Sequence, residues 1–103
     1  MKSRFHEAAA KDLADDIAYY DAATPGLGIQ LLVEVRAAVQ FLETFPLGAP
    51  EHSETMRVKS LVRFPHSLLY VIEENEVVIL AVAHQRQDFN AWVEVVKTRR
   101  SGA

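Results

Sequence analysis

The sequence predicts an α+β domain in which a helical hairpin packs on a small, mostly antiparallel twisted sheet, with the element order β-α-α-β-β-β-α. Apolar residues recur with the period of a helix in the first half of the chain and with the period of a strand in the second half. The stretch "TPGLG" interrupts the helical half, because proline lacks a backbone donor and glycine tolerates positive φ. A chain of 103 residues is long enough for one core, so residues 1–103 are expected to form a single domain.

The first half of the chain contains the two predicted helices. The stretch "KSRF" before them is predicted to form a short edge strand. The next stretch, "HEAAAKDLADDIAYYDAAT", is rich in alanine and has no glycine or proline, which favours a helix. The second helix, "GIQLLVEVRAAVQFLETF", has an apolar face with helical spacing, and "PLGAPEHSET" after it is predicted to be a loop. The predicted buried face comprises Leu31, Val35, Ala38, Val39 and Leu42.

A second apolar line runs along another side of that helix, through Val33, Ala37 and Phe41. Two interpretations are open. The helix is wedged between the first helix and the sheet, so that both lines are buried, or Phe41 or Val33 remains exposed for a partner chain.

The stretch "RVKSLVRF" alternates with the period of a strand. Arg57, Lys59 and Arg63 are predicted to share one face, and Val58 and Val62 the other. We expect the valine face to pack beneath the two helices and the opposite face to present three cations.

Two further strands and a helix complete the predicted fold. "LLYVIEE" and "VVILAVAH" are expected to pair through a turn at Glu74 and Asn75, with Leu68 opposite Ala81. A final helix, "DFNAWVEVVKTRR", follows a possible cap at Asp88. It ends in three basic residues that we expect to be mobile, namely Lys97, Arg99 and Arg100.

Composition narrows the classes of function. The chain has no cysteine, which excludes disulfides and thiolate chemistry and fits a reducing cytoplasm. It shows no apolar signal segment and no run long enough to cross a membrane. The net charge is −3, but residues 55–103 carry seven basic and five acidic side chains. An anionic target is therefore expected to meet the second half. The four histidines lack the paired spacing of a metal site.

Three phrases in order resemble the RelE/ParE toxin superfamily: "AAAKDLADDIAYYDAATPGLGIQLLVEV", "RVKSLVRFPHSLLYVI" and "VVILAVAHQRQDFNAW". The resemblance runs from about Phe5 to Trp92. It implies the toxin half of a bacterial type II toxin–antitoxin pair, of the kind that includes plasmid stabilisation proteins. It also implies a cytoplasmic protein without a cofactor, a metal or a membrane partner, and a cognate antitoxin that lays a segment across the toxin surface.

The superfamily has two branches with different functions. ParE-like members bind DNA gyrase and stall it on broken DNA, which needs no catalytic group. RelE-like members are mRNA interferases that cleave message in the ribosome, which needs a base, cations and a proton donor. A third possibility is an inactive toxin that only binds its antitoxin. The candidate functional face, catalytic only if the protein is RelE-like, consists of Arg57, Lys59, Arg63, His84 and Arg86.

Two features favour the gyrase-directed branch. RelE-like members commonly carry a tyrosine or another acid–base side chain near the C-terminus, whereas no tyrosine follows Tyr70 here. Proteins that contact ribosomal RNA also tend to be strongly basic, whereas this chain is acidic overall. His66, in the predicted turn, is interpreted as an ordinary polar residue.

Overall fold

The structure is a computed structural model that describes residues 1–53 and 55–102. The predicted α+β class is confirmed: two helices follow a first strand, and a sheet and a last helix complete the chain. The segment predicted to be a loop contains one further strand, β2, and Glu54 beside it lies outside the described residues. The elements are β1 Lys2–Phe5, α1 Glu7–Ala23, α2 Leu27–Thr44, β2 Glu51–Ser53, β3 Met56–Ser60, β4 His66–Glu73, β5 Glu76–His84 and α3 Phe89–Gly102.

The strands form one mixed sheet with the order β1-β5-β4-β3-β2. β1 runs parallel to β5, and the other neighbours are antiparallel. Helices α1 and α2 cover one face, and α3 covers the other. β4 and β5 therefore lie between two layers of helix, which explains why nearly every residue of both strands is apolar.

The turn between β4 and β5 confirms the predicted hairpin. Glu74 and Asn75 have φ values of 52° and 61°, as a two-residue turn with the twist of a hairpin requires. The pairing shifts within β4, so that Leu68 lies opposite Val82. The predicted pairing of Leu68 with Ala81 is wrong because a β-bulge inserts one extra residue into β5.

A close contact between the two long helices fixes the hairpin. The backbone N–H of Gly28 donates to the Asp21 carboxylate at 2.6 Å. A Cβ atom at Gly28 would lie 2.4 Å from the carbonyl oxygen of Ile17, so only glycine fits there. The predicted inner face of α2 is confirmed, since Leu31, Val35, Ala38 and Leu42 are buried and Val39 is half-buried against them.

The sheet separates two cores. Beneath the helical hairpin, side chains from α1 and α2 pack on one face of the sheet, including Leu13, Leu31, Leu68, Tyr70, Ile79 and Val82. On the opposite face α3 contributes Val96, with Trp92 and Val93 at the margin, against Leu69, Val71, Val78 and Leu80.

The predicted mobile basic end is instead docked on the fold at Arg99. β1 pairs with β5 only as far as Ile79, which leaves the next backbone groups of β5 unpaired on that edge. The Arg99 guanidinium donates to the carbonyl oxygen of Leu80 at 2.8 Å and to both oxygens of Asp12 at 2.7 and 3.2 Å. Asp12 also accepts the N–H of Val82 at 3.4 Å. The pair thus links α3 to α1 around an otherwise open strand edge.

The N-terminal cap of α3 is confirmed, because the Asp88 carboxylate accepts the N–H of Asn90 at 3.0 Å.

Within residues 1–53 and 55–102, no helix combines the length and the apolar character that crossing a bilayer requires.

Candidate functional site

The face assignment predicted for β3 is wrong. Arg57 lies opposite Tyr70, and Lys59 opposite Leu68; paired residues share a face, and both β4 side chains belong to the core beneath the hairpin. Arg57 and Lys59 therefore lie on the hairpin face, and Val58 packs in the core with α3. The prediction failed because alternation along β3 identifies two faces but not which helices cover each of them. At this edge, long cationic side chains reach past the helices while their stems stay covered.

The predicted alternation also fails beyond the strand. β3 ends at Ser60, and the chain then turns through residues 61–65. Leu61 is buried at 7% exposure, whereas Val62, predicted to be buried, is 93% exposed. The alternation is lost where β3 ends, because the direction of side chains in a turn depends on its local hydrogen bonds and not on the pleat of a sheet.

Arg57 has a structural environment. Its guanidinium donates to the carbonyl oxygen of Ala49 at 2.7 Å and lies 3.5 Å from that of Leu47. One nitrogen is 3.9 Å from the Glu51 carboxylate, and the side chain is only 20% exposed. Arg57 thus fastens the loop after α2 to β3 through one nitrogen of its guanidinium.

Lys59 and Arg63 lie beside α2. The Lys59 ammonium is 4.7 Å from the centre of the Phe41 ring, a cation–π contact. The Arg63 side chain is exposed, and within the described residues its guanidinium has no hydrogen bond or ion pair. These two cations are the members of the predicted set that border α2.

His84 and Arg86 lie at the other end of the β3–β4 loop. His84 pairs with His66 across the sheet, with 4.9 Å between ring centres. The N–H of Arg86 donates to His84 Nδ1 at 3.0 Å, and the Arg86 side chain is exposed. The five predicted residues therefore fall into separate groups, and within the described residues no hydrogen bond or ion pair joins Arg63 to His84 or Arg86.

His66 is the residue that the sequence interpretation missed. It begins β4 and is fully buried, and its Nε2 lies 3.1 Å from the Asp16 carboxylate. Its Nδ1 is buried without a hydrogen-bond partner among the described residues. Burial lowers the pKa of His66, against the opposing effect of the Asp16 carboxylate, and burial raises the pKa of Asp16. No local pattern reveals this pair, because its members are separated by 50 positions.

A row of exposed apolar side chains runs along the outer side of α2. It extends the second apolar line of the sequence at intervals of four residues. Its exposure contradicts the interpretation in which both apolar lines are buried, and its use by a partner chain stays a prediction. Ile29 is 57% exposed, Val33 61%, Phe41 38% and Phe45 56%. We call these four residues, together with Ala37 between them, the α2 row. Val62 borders it across a cleft of about 630 Å³.

The described residues contain no group of three or more His, Asp or Glu side chains placed to hold a metal ion. The notable features of this surface are therefore apolar groups and cations, with titratable side chains beneath them.

The fold is shared with a solved toxin–antitoxin protein. The structure superposes with a TM-score of 0.72 on a chain of the chromosomal ParDE toxin–antitoxin system from P. aeruginosa, with 23% sequence identity. The likeness covers 82% of this chain and 95% of that chain. Comparison with curated protein sequences gave no match.

The family follows from the sequence itself. Residues 4–89 match the family model for the ParE toxin of the type II toxin–antitoxin system parDE. This match spans most of the chain, so the protein belongs to the ParE toxin family and is a ParE-like type II toxin, as the resemblance in its sequence implied.

Proposed function

We propose that this ParE-like toxin poisons DNA gyrase in the cytoplasm by protein–protein contact, and that a cognate antitoxin neutralises it by covering the contact surface. The observation that carries the proposal is the α2 row. Scattered exposed apolar residues are normal on a protein surface, but a continuous line along a whole helix is typical of a binding surface. The family supports a toxin that works with an antitoxin.

The cations of the candidate face are assigned parts in this contact. Lys59 and Arg63 border the α2 row and are proposed to contact acidic groups of a partner. Arg86, with His84 beside it, is proposed to extend the same surface beyond the β3–β4 loop. Arg57 is assigned a supporting part, because its guanidinium is held by backbone carbonyl groups.

The arrangement of these residues argues against the RelE-like alternative. Cleavage of RNA needs a base, a proton donor and cations around one phosphate. Arg57 is engaged with carbonyl oxygens, and His66 is buried. His84 has one ring nitrogen occupied by the N–H of Arg86. A contact mechanism requires none of these groups to move a proton.

An antitoxin suited to this surface combines apolar and acidic residues. The apolar side chains would cover the α2 row, and the acidic ones would approach Lys59 and Arg63. Apolar burial would supply most of the affinity, while charge would set the register and the rate of encounter.

The test uses purified toxin in two assays, one with gyrase and plasmid DNA and one with translating ribosomes. We expect double-strand breaks to accumulate with gyrase and message to remain intact in ribosomes. Cleavage of message without breaks on DNA would overturn the proposal in favour of the RelE-like alternative. Binding to the antitoxin without activity in either assay would identify an inactive toxin.

A pair of variants tests the location of the contact. Val33→Asp places a charge in the α2 row, and Val95→Asp places the same charge on α3, where Val95 is 37% exposed. Both positions are at the surface, so both variants are expected to fold, which thermal unfolding checks. We expect Val33→Asp to reduce DNA breaks at least tenfold and Val95→Asp to leave them unchanged. Equal activity of the two variants would refute the α2 row as the contact.

A further inference from the structure

The tip of the β3–β4 loop is exposed although both of its sides are anchored. Val62 is 93% exposed and Arg63 is exposed beside it. Leu61 before them is buried in the core, and Phe64 after them packs on that core, with its ring 5.6 Å from that of Tyr20. The exposure of the tip is therefore not a consequence of a loosely attached loop.

Glu34 of α2 holds this tip from below. Its carboxylate oxygen accepts the N–H of Val62 at 2.9 Å and the N–H of Arg63 at 2.7 Å. The base of the loop is closed by the N–H of Leu61, which donates to the carbonyl oxygen of His66 at 2.9 Å. The carboxylate thus fixes two consecutive peptide groups, and its negative charge is directed at backbone donors.

Residues of the loop tip and of α2 together line an apolar cleft. The cleft has a volume of about 630 Å³, and its apolar lining comprises Ile29, Val33, Ala37 and Val62. Arg63 lies at its rim, without an ion-pair partner among the described residues. A fitting occupant has apolar side chains for the cleft and a carboxylate for Arg63.

We propose that Glu34 is a positioning residue for antitoxin recognition, which holds Val62 and Arg63 as a preformed anchor for an apolar and acidic segment of the antitoxin. The inference rests on the proposed function, since it assigns a partner to part of the contact surface. Preorganisation matters because a loop that is already ordered loses less conformational entropy on binding. Arg63 favours an acidic occupant over a second copy of this chain, because the glutamate of this cleft, Glu34, is already engaged with the N–H groups of Val62 and Arg63.

Three variants and a control test the role of Glu34. Glu34→Ala removes the oxygen that accepts both hydrogen bonds, Glu34→Gln keeps an acceptor oxygen without the charge, and Val62→Ala truncates the anchor. Glu94→Ala is the control, because Glu94 is an exposed glutamate of α3, 3.6 Å from Lys97. The probe is the cognate antitoxin, which we expect a small reading frame next to the toxin gene to encode, and its Kd is measured together with the thermal stability of each toxin.

We expect Glu34→Ala and Val62→Ala each to raise the Kd roughly tenfold or more, as loss of an interface anchor does. The double variant is expected to bind no more weakly than about twice the Kd of Glu34→Ala, because both changes remove the same anchor. Glu34→Gln is expected to retain most of the affinity, and Glu94→Ala all of it. A glutamate with only a structural part would lower thermal stability and give effects that multiply with Val62→Ala.

Each other outcome overturns the inference. It is overturned if Glu34→Ala binds with the affinity of the wild type, or if the effects multiply in the double variant. It is also overturned if the wild type does not bind the antitoxin. If Glu34→Ala lost only the poisoning of gyrase and kept its affinity for the antitoxin, the anchor would contact gyrase instead. If the wild type were a dimer and Val62→Asp a monomer, the anchor would bind a second copy of the chain. Conversely, the expected pattern of Kd values with no DNA breaks from the wild type would refute the gyrase proposal and leave this inference in place.

Discussion

Replacing Arg99 with alanine is predicted to destabilise the protein far more than the loss of a surface ion pair. The change removes two hydrogen bonds to Asp12 and one to the carbonyl oxygen of Leu80. It leaves the Asp12 carboxylate without its cation and reopens the edge of β5. The variant therefore tests whether α3 is fastened to α1 by this pair.

The expected magnitude follows from the exposure of the pair. The two side chains are 15% and 19% exposed, which lies between two limits. Removing one partner of a buried pair costs about 3–5 kcal/mol, and exposed pairs contribute about 0–1 kcal/mol. We therefore expect Arg99→Ala to lower the free energy of unfolding by roughly 2–3 kcal/mol. That loss corresponds to a fall in Tm of roughly 10–20 °C for a domain of this size.

The assay is reversible denaturant unfolding of the purified toxin. Lys11→Ala is the matched control, because Lys11 also pairs with an aspartate of α1, Asp15, but with side chains 75% and 64% exposed. Its expected loss is about 0.5 kcal/mol or less. The double variant of Arg99 and Asp12 should lose less than the sum of its single variants. A loss for Arg99→Ala no larger than that for Lys11→Ala would refute the reasoning.

Three further predictions concern stability. Because burial lowers the pKa of His66, the unfolded chain binds a proton more readily below about pH 6.5. The free energy of unfolding of the wild type should therefore fall between about pH 8 and about pH 5, and this fall should be smaller in His66→Phe. Gly28→Ala should cost roughly 1–3 kcal/mol, because its Cβ would meet a carbonyl oxygen. Tyr70→Phe should cost about 1 kcal/mol, since the hydroxyl donates to the carbonyl oxygen of Pro46 at 2.7 Å.

Each of these predictions has a matched comparison. For the pH profile it is the slope of the wild type. Asp16 acts with the opposite sign, because burial raises its pKa, so the comparison stops at about pH 5. Equal slopes in His66→Phe and the wild type would contradict the interpretation. For Gly28 the comparison is Gly48→Ala, whose Cβ would lie 2.9 Å from the Phe41 ring and 3.0 Å from the carbonyl oxygen of Phe45. These contacts are longer than the 2.4 Å contact at Gly28, so an equal loss would contradict the packing argument. A Tyr70→Phe variant as stable as the wild type would show that its hydrogen bond contributes nothing.

The sequence predicted the features that depend on local pattern. The helical period located α1 and α2, the apolar runs on either side of the Glu74–Asn75 turn located β4 and β5, and Asp88 marked the start of α3. Each of these signals arises within a few residues. The second apolar line of α2 was visible too, and only the structure showed that it is exposed.

The features that failed depend on contacts between distant segments. Alternation along β3 identified two faces but not which helices cover each of them, so Arg57 and Val58 were assigned to the wrong sides. The ion pair of Arg99 with Asp12 spans 87 positions. The contact between Glu34 and the loop tip spans 28. No periodic signal connects residues that far apart, so these roles follow only from the folded arrangement.

The central claim is that partner proteins bind the α2 row and the loop tip beside it. The most direct test is an NMR spectrum of toxin with labelled isoleucine and valine methyl groups, recorded with and without its antitoxin. We expect the methyl resonances of Ile29, Val33 and Val62 to shift on binding and that of Val95 on α3 to keep its position. Shifts confined to Val95 and its neighbours, with the α2 row unchanged, would contradict it.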